Sequence, residues 1–209
     1  IDAYLASLED THDLRTVGGL IDEGVISLST GDEVGKMAYG TGKIPFIRTS
    51  DLSNWEIKAD FKHGVSDEVY QAHKAKCDVE AQDILLVRDG TYLIGTSAIV
   101  MKTDLPMLFQ SHLYRIRVEK PRLISPWLLF ACLNTPIVKR QIRAKQFTQD
   151  IIDTLGRRIE ELVLPIPKHS AQRGRVTKHT RKIVETRGKL RDEARELVLA
   201  IEGIEQRGQ

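Results

Sequence analysis

Glu56 and Lys58 have the spacing in this sequence that comes nearest to a catalytic motif. In one class of metal-dependent nucleases, a glutamate and an aspartate hold the metal, and a lysine two residues after the glutamate stabilises developing charge. Asp32, Asp51 or the local loop could supply the aspartate. Glutamate and lysine also occur at this spacing by chance along solvated strand edges, because 29% of the residues are charged. We therefore keep the metal-dependent nuclease as an alternative interpretation.

Other catalytic and cofactor motifs are missing from the sequence. The six histidines form no H-x-H or H-x-x-x-H pair, so their spacing indicates no metal site. Residues 39–43 look like the end of a phosphate-binding loop, but Met37 stands where its first glycine belongs, and Ile44 replaces its serine or threonine. There is also no G-x-S-x-G elbow and no tetrapeptide of the kind that adenine methyltransferases use on the target base. The sequence thus predicts a non-catalytic chain without a cofactor of its own.

Composition indicates a folded protein with little overall charge. The chain has 209 residues, of which 41% are hydrophobic, and a formal net charge of +2, so bulk charge alone does not indicate nucleic acid. Apolar runs such as residues 127–133 fall far short of the roughly 20 residues of a membrane span. Cys77 and Cys132 form no C-x-x-C site. We expect a cytoplasmic protein with no membrane contact and, because the chain begins with Ile1, a piece of a longer polypeptide.

The order of apolar and turn-forming residues predicts a mixed α/β (α+β) domain over residues 1–168. A helix is expected at residues 14–24, and two more should begin at Pro126 and Pro136, each after a capping hydroxyl. A further helical stripe covers residues 155–162. Strands are expected at residues 44–47, 113–118 and 163–167, and within residues 84–100 as two buried strands joined by a tight turn at Asp89-Gly90.

The predicted helix that begins at Pro136 has an apolar face and a basic face. Ile137, Val138 and Ile142 share the apolar face, which we expect to be buried. The basic residues of this helix and its end are Lys139, Arg140, Arg143 and Lys145. Cations on one face are typical of phosphate contacts, and four neutralised phosphates would give a salt slope of roughly −3 to −4. An ordinary solvated face is the alternative.

Residues 169–209 differ in amino-acid composition from the rest of the chain, and their pattern predicts one long helix. Apolar residues recur there every seven positions, which is a heptad seam. The seam consists of Val176, Ile183, Leu190, Leu197 and Ile204. So thin a stripe does not stabilise an isolated helix, and we therefore expect it to pack against a second long helix.

Five motifs follow one another ahead of this helix. They are GKIPFIRTSDL at residues 42–52, QDILLVRDGT with IG and AIV within residues 82–100, QSHLYRI at residues 110–116, QFTQDII with a leucine within residues 146–155, and LPIP at residues 164–167. Together they resemble the target-recognition domain of type I restriction-modification specificity subunits, over about residues 10–205. The resemblance implies a non-catalytic chain that reads double-stranded DNA while a methyltransferase partner, which would bind S-adenosylmethionine, methylates adenine.

The chain departs from that family's pattern, because it has one recognition domain and one long helix where a typical subunit has two of each. Three arrangements stay open: half of a subunit, a half-length protein that pairs with itself through the helix, or the recognition region of a single-chain adenine methyltransferase. The start at Ile1 and the full Arg-Thr-Ser-Asp and Arg-Asp-Gly-Thr motifs favour the third. Whether a restriction subunit takes part is not readable from the sequence.

Residues that could read bases are arginines and polar side chains on rigid elements. The candidates are Arg48, Thr49, Arg88, Thr91, Tyr92, Gln146 and Gln149. Arg88 could equally form a local ion pair with Asp89, and residues 48–51 could simply lock a loop. The loops at residues 31–43 and 53–77 are alternative locations of the specificity. A coiled-coil module that never touches DNA is a further alternative function.

Overall fold

The fold is known from a computed structural model, which describes residues 1–53, 55–58, 61–90, 92–149 and 152–201. Of residues 61, 148, 149 and 152 it describes the backbone alone. Within this described part of the chain, no helix combines the length and the apolar character that crossing a membrane would require.

Helices and short strands alternate along the chain. The helices are α1 (Asp2–Ala6), α2 (Val17–Asp22), α3 (Asp67–Cys77), α4 (Pro126–Leu133), α5 (Pro136–Lys145) and α6 (Ser170–Ile201). The strands are β1 (His12–Thr16), β2 (Ile26–Thr30), β3 (Phe46–Ile47), β4 (Leu52–Ser53), β5 (Glu56–Ile57), β6 (Ile84–Val87), β7 (Asp89–Gly90), β8 (Ser97–Ile99), β9 (Leu108–Phe109), β10 (Leu113–Val118), β11 (Phe147–Gln149), β12 (Ile152–Thr154) and β13 (Val163–Pro167). This mixed order, ending in the long helix α6, confirms the predicted fold class.

A four-stranded antiparallel sheet, in the order β2-β10-β6-β8, forms the centre of the domain. Side chains alternate across it, so that it is buried on both faces. Ile84, Leu86 and Ile116 pack on one face with α4 and α5, in the first core cluster. Leu85 and Val87 pack on the other face with Phe46, Phe109 and their neighbours, in the second core cluster. The sheet thus joins two cores and fixes the position of every loop at its ends.

The two proline-started helices follow the prediction. Ser125 caps α4, since its hydroxyl accepts a hydrogen bond from the amide of Leu128 at 3.1 Å. Thr135 precedes α5, but its hydroxyl donates to the Cys132 carbonyl at 2.8 Å instead of capping the helix. The apolar face of α5 is buried as expected, with Val138 fully inaccessible.

Three local predictions were wrong. The first helix is shorter than residues 14–24, because residues 12–16 form β1, which pairs with β13. Residues 156–161 form a 3-10 helix rather than an α-helix. The third concerns the Asp89-Gly90 stretch, which is strand β7 and pairs with β12 instead of forming a turn.

The turn between β6 and β8 lies at residues 92–95. Gly95 adopts a φ of +82° there, and its amide donates to the Val87 carbonyl at 2.9 Å. Asp89 is drawn away from the turn because its side chain is buried among hydrogen-bond donors from other parts of the chain. Gly95 therefore lies at the described turn, while Gly90, with a φ of +134°, lies in β7.

Candidate nucleic-acid interface

Arg88 lies at the end of β6 and is held by the buried carboxylate of Asp89. Its Nε donates to Asp89 Oδ2 at 2.7 Å, and its guanidinium lies 5.8 Å from the centre of the Tyr114 ring. Asp89, only 5% exposed, also accepts from the Thr154 hydroxyl and lies 3.0 Å from Nδ1 of His112. The hydrogen bond to Asp89 is made by Nε and orients the guanidinium group. The local ion pair that the sequence suggested is present.

The side chain of Arg88 lines an open cleft of about 670 Å³ at one end of the central sheet. Its lining consists of Arg88, Tyr114, Phe147, Thr154, Gly156, Arg157, Arg158, Glu160 and Glu161. We call it the arginine cleft. It combines three guanidinium groups with two aromatic rings, which is a combination suited to phosphate and nucleotide groups.

The walls of the arginine cleft are held by the turn at Gly156. The Tyr114 hydroxyl donates to the Gly156 carbonyl at 2.5 Å, and burial raises the pKa of Tyr114 to about 12, so the phenol keeps its proton. Gly156 has a φ of +47°, and a Cβ there would lie 3.1 Å from the Phe147 ring. Arg158 lies over that same ring at 4.5 Å. The cleft is therefore built by packing, and it does not depend on a mobile surface loop.

Exposed acids balance part of the positive charge around the cleft. Glu160 lies 3.4 Å from Arg157, whose side chain is 93% exposed, and Glu161 lies 2.7 Å from Lys145. Exposed pairs of this kind contribute little stability, so a DNA phosphate could replace the carboxylates at small cost. Arg158 adds a charge for which no ion pair is seen among the described residues, since its Nη1 donates to the Lys145 carbonyl at 3.4 Å.

The four cations predicted on and after α5 do not form one surface. Lys139 is half-buried and donates to the Gly95 carbonyl, and burial lowers the pKa of its ammonium to about 8. Arg140 is exposed beside a groove of about 410 Å³ near the start of α6. Lys145 lies at the arginine cleft, because it pairs with Glu161. Arg143 is exposed on α5, one turn before Gln146. Of the four, only Lys145 has a described contact that places it beside the cleft.

The base-reading candidates are also divided in space. Arg48 binds Asp51 through its backbone amide at 2.8 Å and through its guanidinium, and it lies 2.9 Å from Nε2 of His63. This arrangement fits the loop-locking alternative, with Thr49 half-buried inside the locked turn. Tyr92, at 88% exposure, stands in the turn before β8. Gln146 is half-buried at the end of α5, while Thr91 and the side chain of Gln149 lie outside the described residues.

Glu56 and Lys58 do not meet the aspartate that a nuclease site would need among the described residues, which leave out Asp60. Their side chains pair with each other at 3.6 Å on the short β4–β5 ribbon. The carboxylate of Asp51 is bound by Arg48, and that of Asp32 by Lys76 at 2.6 Å and His73 at 2.8 Å, contacts that hold the pKa of Asp32 at about 2. Over the described residues, no group of three or more His, Cys, Asp or Glu is close enough to hold a metal ion.

The heptad seam of α6 is largely open. Ile183 is 44%, Leu190 59% and Leu197 64% exposed, and Ile201 continues the same stripe. Val176 differs, because it packs against the first core cluster. Ile204 lies outside the described residues, and whether a second helix covers the rest of the seam stays a prediction.

Sequence reasoning missed Phe147, Arg157, Arg158 and Tyr114 as members of one site. The pair Arg157-Arg158 was noticeable as a basic dipeptide, and Gly156 before it marked a turn. No local pattern connects that dipeptide with Arg88, since they meet through the pairing of β7 with β12.

No protein-family model matches the sequence, and no curated protein matches it. Solved structures do match the fold. One is the type I restriction-modification system S subunit from M. genitalium, with a TM-score of 0.55 and 14% identity over 91% of this chain. Another comes from work on complex assembly and conformational transition of the type I R-M system, with a TM-score of 0.51 and 12% identity over 93% of this chain. The matched region spans 41% and 43% of those two chains, so this chain has the fold of about two fifths of such a subunit.

Proposed function

We propose that this chain is a non-catalytic DNA target-recognition domain of a type I-like restriction-modification system. It binds double-stranded DNA and determines which adenine a methyltransferase partner modifies. It acts in the cytoplasm, with or without a restriction subunit. The observation that carries the proposal is the arginine cleft, in which buried Asp89 orients Arg88 beside Arg157 and Arg158. The likeness of the fold to S subunits supports the same function.

The cleft suits DNA because two of its three arginines, Arg88 and Arg158, are held before a ligand arrives. Arginine binds phosphate and guanine through paired N–H groups, and an arginine already oriented by a carboxylate loses less conformational freedom on binding. The rings of Tyr114 and Phe147 contact these two guanidinium groups. The held cations position the domain on the DNA backbone, and exposed side chains on neighbouring loops then contact base edges. Tyr92 and Gln146 remain our candidates for the second role, together with Thr91 and Gln149.

The partner region in this proposal is α6 and the residues after it, within residues 169–209. Residues 170–189 contain seven lysines and arginines and one glutamate, whereas residues 190–209 contain three arginines and five acids. An antiparallel pair of such helices, centred on Leu190, would bring the basic half of each helix to the acidic half of the other. It would also place Ile183 opposite Leu197 of the second helix. The charge pattern therefore favours a second copy of this chain, or a methyltransferase helix of the same pattern, as the partner of α6. S-adenosylmethionine would bind the methyltransferase and not this chain.

A genome-wide map of N6-methyladenine tests the function directly. The map is made in the source organism with the gene intact, deleted, and restored with either of two triple variants. One variant replaces Arg88, Arg157 and Arg158 with alanine. The matched variant replaces the exposed Arg122, Lys102 and Lys36 with alanine and so removes the same charge elsewhere. We expect one methylated motif to disappear on deletion and to return with the matched variant only.

The form of that motif also decides among the three arrangements. A split asymmetric motif indicates two different recognition domains, a split palindrome indicates a self-paired copy, and a continuous asymmetric motif indicates a fused methyltransferase. Identical maps with and without the gene, in cells that express it, would refute the proposed function. A coiled-coil module that never touches DNA predicts instead that replacing Arg88, Arg157 and Arg158 with alanine leaves methylation unchanged.

A further inference from the structure

The long helix α6 contacts the domain over its first half and then continues beyond the first core. Thr180 and Val184 are 4% and 3% exposed, and Val184 belongs to the first core cluster. The hydroxyls of Ser125 and Thr177 add a hydrogen-bond contact of 3.0 Å between α4 and α6. After Val184, the large apolar side chains at Leu190 and Leu197 are exposed. Beyond Val184 the helix keeps a half-buried face that includes Arg191 and Leu199, but none of the described side chains there is fully buried.

Arg191 attaches the helix to the domain again, seven residues further along. Arg191 Nη1 lies 2.9 Å from Asp104 Oδ1 and donates to the Ile57 carbonyl at 2.8 Å. The side chains of Arg191 and Asp104 are only 11% and 6% exposed. Asp104 is itself fixed, since its Oδ2 accepts from the Met101 amide at 2.8 Å. Ile57 belongs to the second core cluster, so Arg191 connects the helix to a part of the domain that Val184 does not contact.

The Arg191–Asp104 pair lies beside a gap that apolar packing does not fill. A cleft of about 380 Å³ adjoins it, lined in part by Lys43, Pro45 and Thr103. Buried ion pairs contribute little net stability compared with apolar packing, but they are directional, and loss of one partner leaves the other charge buried without compensation. The pair therefore adds a directional contact to α6 beyond Val184, where apolar packing against the domain is incomplete.

We propose that Asp104 and Arg191 are positioning residues that fix the direction of the C-terminal half of α6 relative to the domain. In doing so they set the distance and angle between the arginine cleft and the partner held by the exposed stripe of α6. The second statement rests on the proposed function, whereas the first concerns the free chain only.

Distance measurement by double electron–electron resonance on the free chain tests this role. Spin labels are attached at Ala75→Cys on α3 and Ala200→Cys on α6, which are both exposed positions. Cys77 and Cys132 are buried and take up little label. The 16 residues from Val184 to Ala200 span about 24 Å of helix, so a pivot of about 10° at Val184 moves the second label by about 4 Å.

We expect Asp104→Asn and Arg191→Met to shift or broaden the distance distribution by about that amount, and Arg191→Lys to have a smaller effect. Glu185→Gln removes an exposed ion pair of the same helix, Arg181–Glu185 at 2.7 Å, and should leave the distribution unchanged. The apolar double variant Asp104→Leu/Arg191→Met separates loss of the directional pair from the burial of an uncompensated charge. The Met101 amide and the Ile57 carbonyl lose their partners in it, so we expect it to fold with reduced stability and to give a broad distribution, because apolar contacts lack the directionality of the pair.

An unchanged, narrow distribution in folded Asp104→Asn, or in the apolar double variant should the single variants not fold, would overturn the positioning role. Far-ultraviolet circular dichroism reports folding in each case. The measurement uses no DNA, so it stands whether or not the chain binds DNA. Conversely, loss of DNA binding in the arginine-cleft variants with normal distances would leave the positioning role intact.

Discussion

The side chain of Gln141 pairs with the backbone of Val163 as a neighbouring strand would. Its Nε2 donates to the Val163 carbonyl and its Oε1 accepts from the Val163 amide, both at 2.8 Å. Gln141 is 2% exposed on the inner face of α5. The side-chain amide of Gln141 thus satisfies the backbone amide and carbonyl of Val163 at the edge of β13. These two hydrogen bonds hold α5 against β13, and they hold the end of α5 beside the arginine cleft.

Gln141→Leu should destabilise the chain strongly, although leucine and glutamine have similar volumes. The leucine leaves the Val163 amide and carbonyl buried without partners, at about 1–3 kcal/mol each, and we expect the free energy of unfolding to fall by about 2–4 kcal/mol. Urea denaturation measures the change. Gln71→Leu, at an exposed position of α3, is the matched control and should stay within about 0.5 kcal/mol of the parent. A loss below 1 kcal/mol for Gln141→Leu would mean that the paired hydrogen bonds contribute less than their burial suggests.

Asp89→Asn tests whether Asp89 affects DNA binding by orienting Arg88 or only through its negative charge. Removing an acid near a DNA-binding surface should tighten binding if charge alone mattered. If Asp89 positions Arg88, we expect the substitution to weaken DNA binding instead. The expected loss is about fivefold to tenfold, because a charge-assisted hydrogen bond is replaced by a weaker neutral one. Fluorescence anisotropy with a random-sequence duplex measures the affinity. Glu160→Gln also removes an acid from the cleft but holds no buried arginine, and we expect it to tighten binding slightly.

The salt dependence of DNA binding should identify the phosphate contacts. Each lost contact reduces the slope of log K against log salt by about 1, so Arg157→Ala and Arg158→Ala should each have this effect. Lys139→Ala should leave the slope unchanged, because that ammonium is bound to the Gly95 carbonyl. Arg122→Ala is the control, since Arg122 follows the end of β10 that lies away from Tyr114. Equal slopes for all four variants would place the DNA contact elsewhere.

The sequence predicted the elements that local pattern determines. The buried runs of β6 and β8 follow from burial on both sheet faces. The two helix starts follow from a hydroxyl residue before a proline, although only Ser125 makes the capping hydrogen bond. The arginine cleft was beyond such reasoning, because Arg88 and Arg158 meet only through strand pairing. The same holds for Asp89-Gly90, whose turn-like sequence is overridden by contacts of Asp89 with His112 and Thr154. Local propensity gives way where a buried side chain finds distant partners.

Lys139 should make stability rise with pH in the alkaline range. Burial lowers the pKa of this ammonium to about 8 in the folded chain, from an ordinary value of 10.5. Between these values the unfolded chain binds a proton that the folded chain does not, so the free energy of unfolding increases with pH there. Below about pH 8 Lys139 is protonated in both states and contributes no slope. Urea denaturation between pH 8 and pH 10 measures the effect, and Lys139→Met should remove this part of the increase; a parallel curve for the variant would contradict it.

Leu190→Glu should weaken assembly without affecting the fold of the domain. Leu190 is 59% exposed, so the substitution changes the free energy of unfolding little. In a helix pair centred on this residue, however, two buried carboxylates would face each other, which apolar packing does not tolerate. Sedimentation velocity measures self-association, and co-purification with the methyltransferase measures assembly with a partner. Val184→Ala is the opposite control, because Val184 is buried against α4 and its truncation should lower stability while the exposed stripe stays intact. If Leu190→Glu assembled like the parent chain in both measurements, the heptad seam would not be the partner surface, and the charge asymmetry of α6 would need a different explanation.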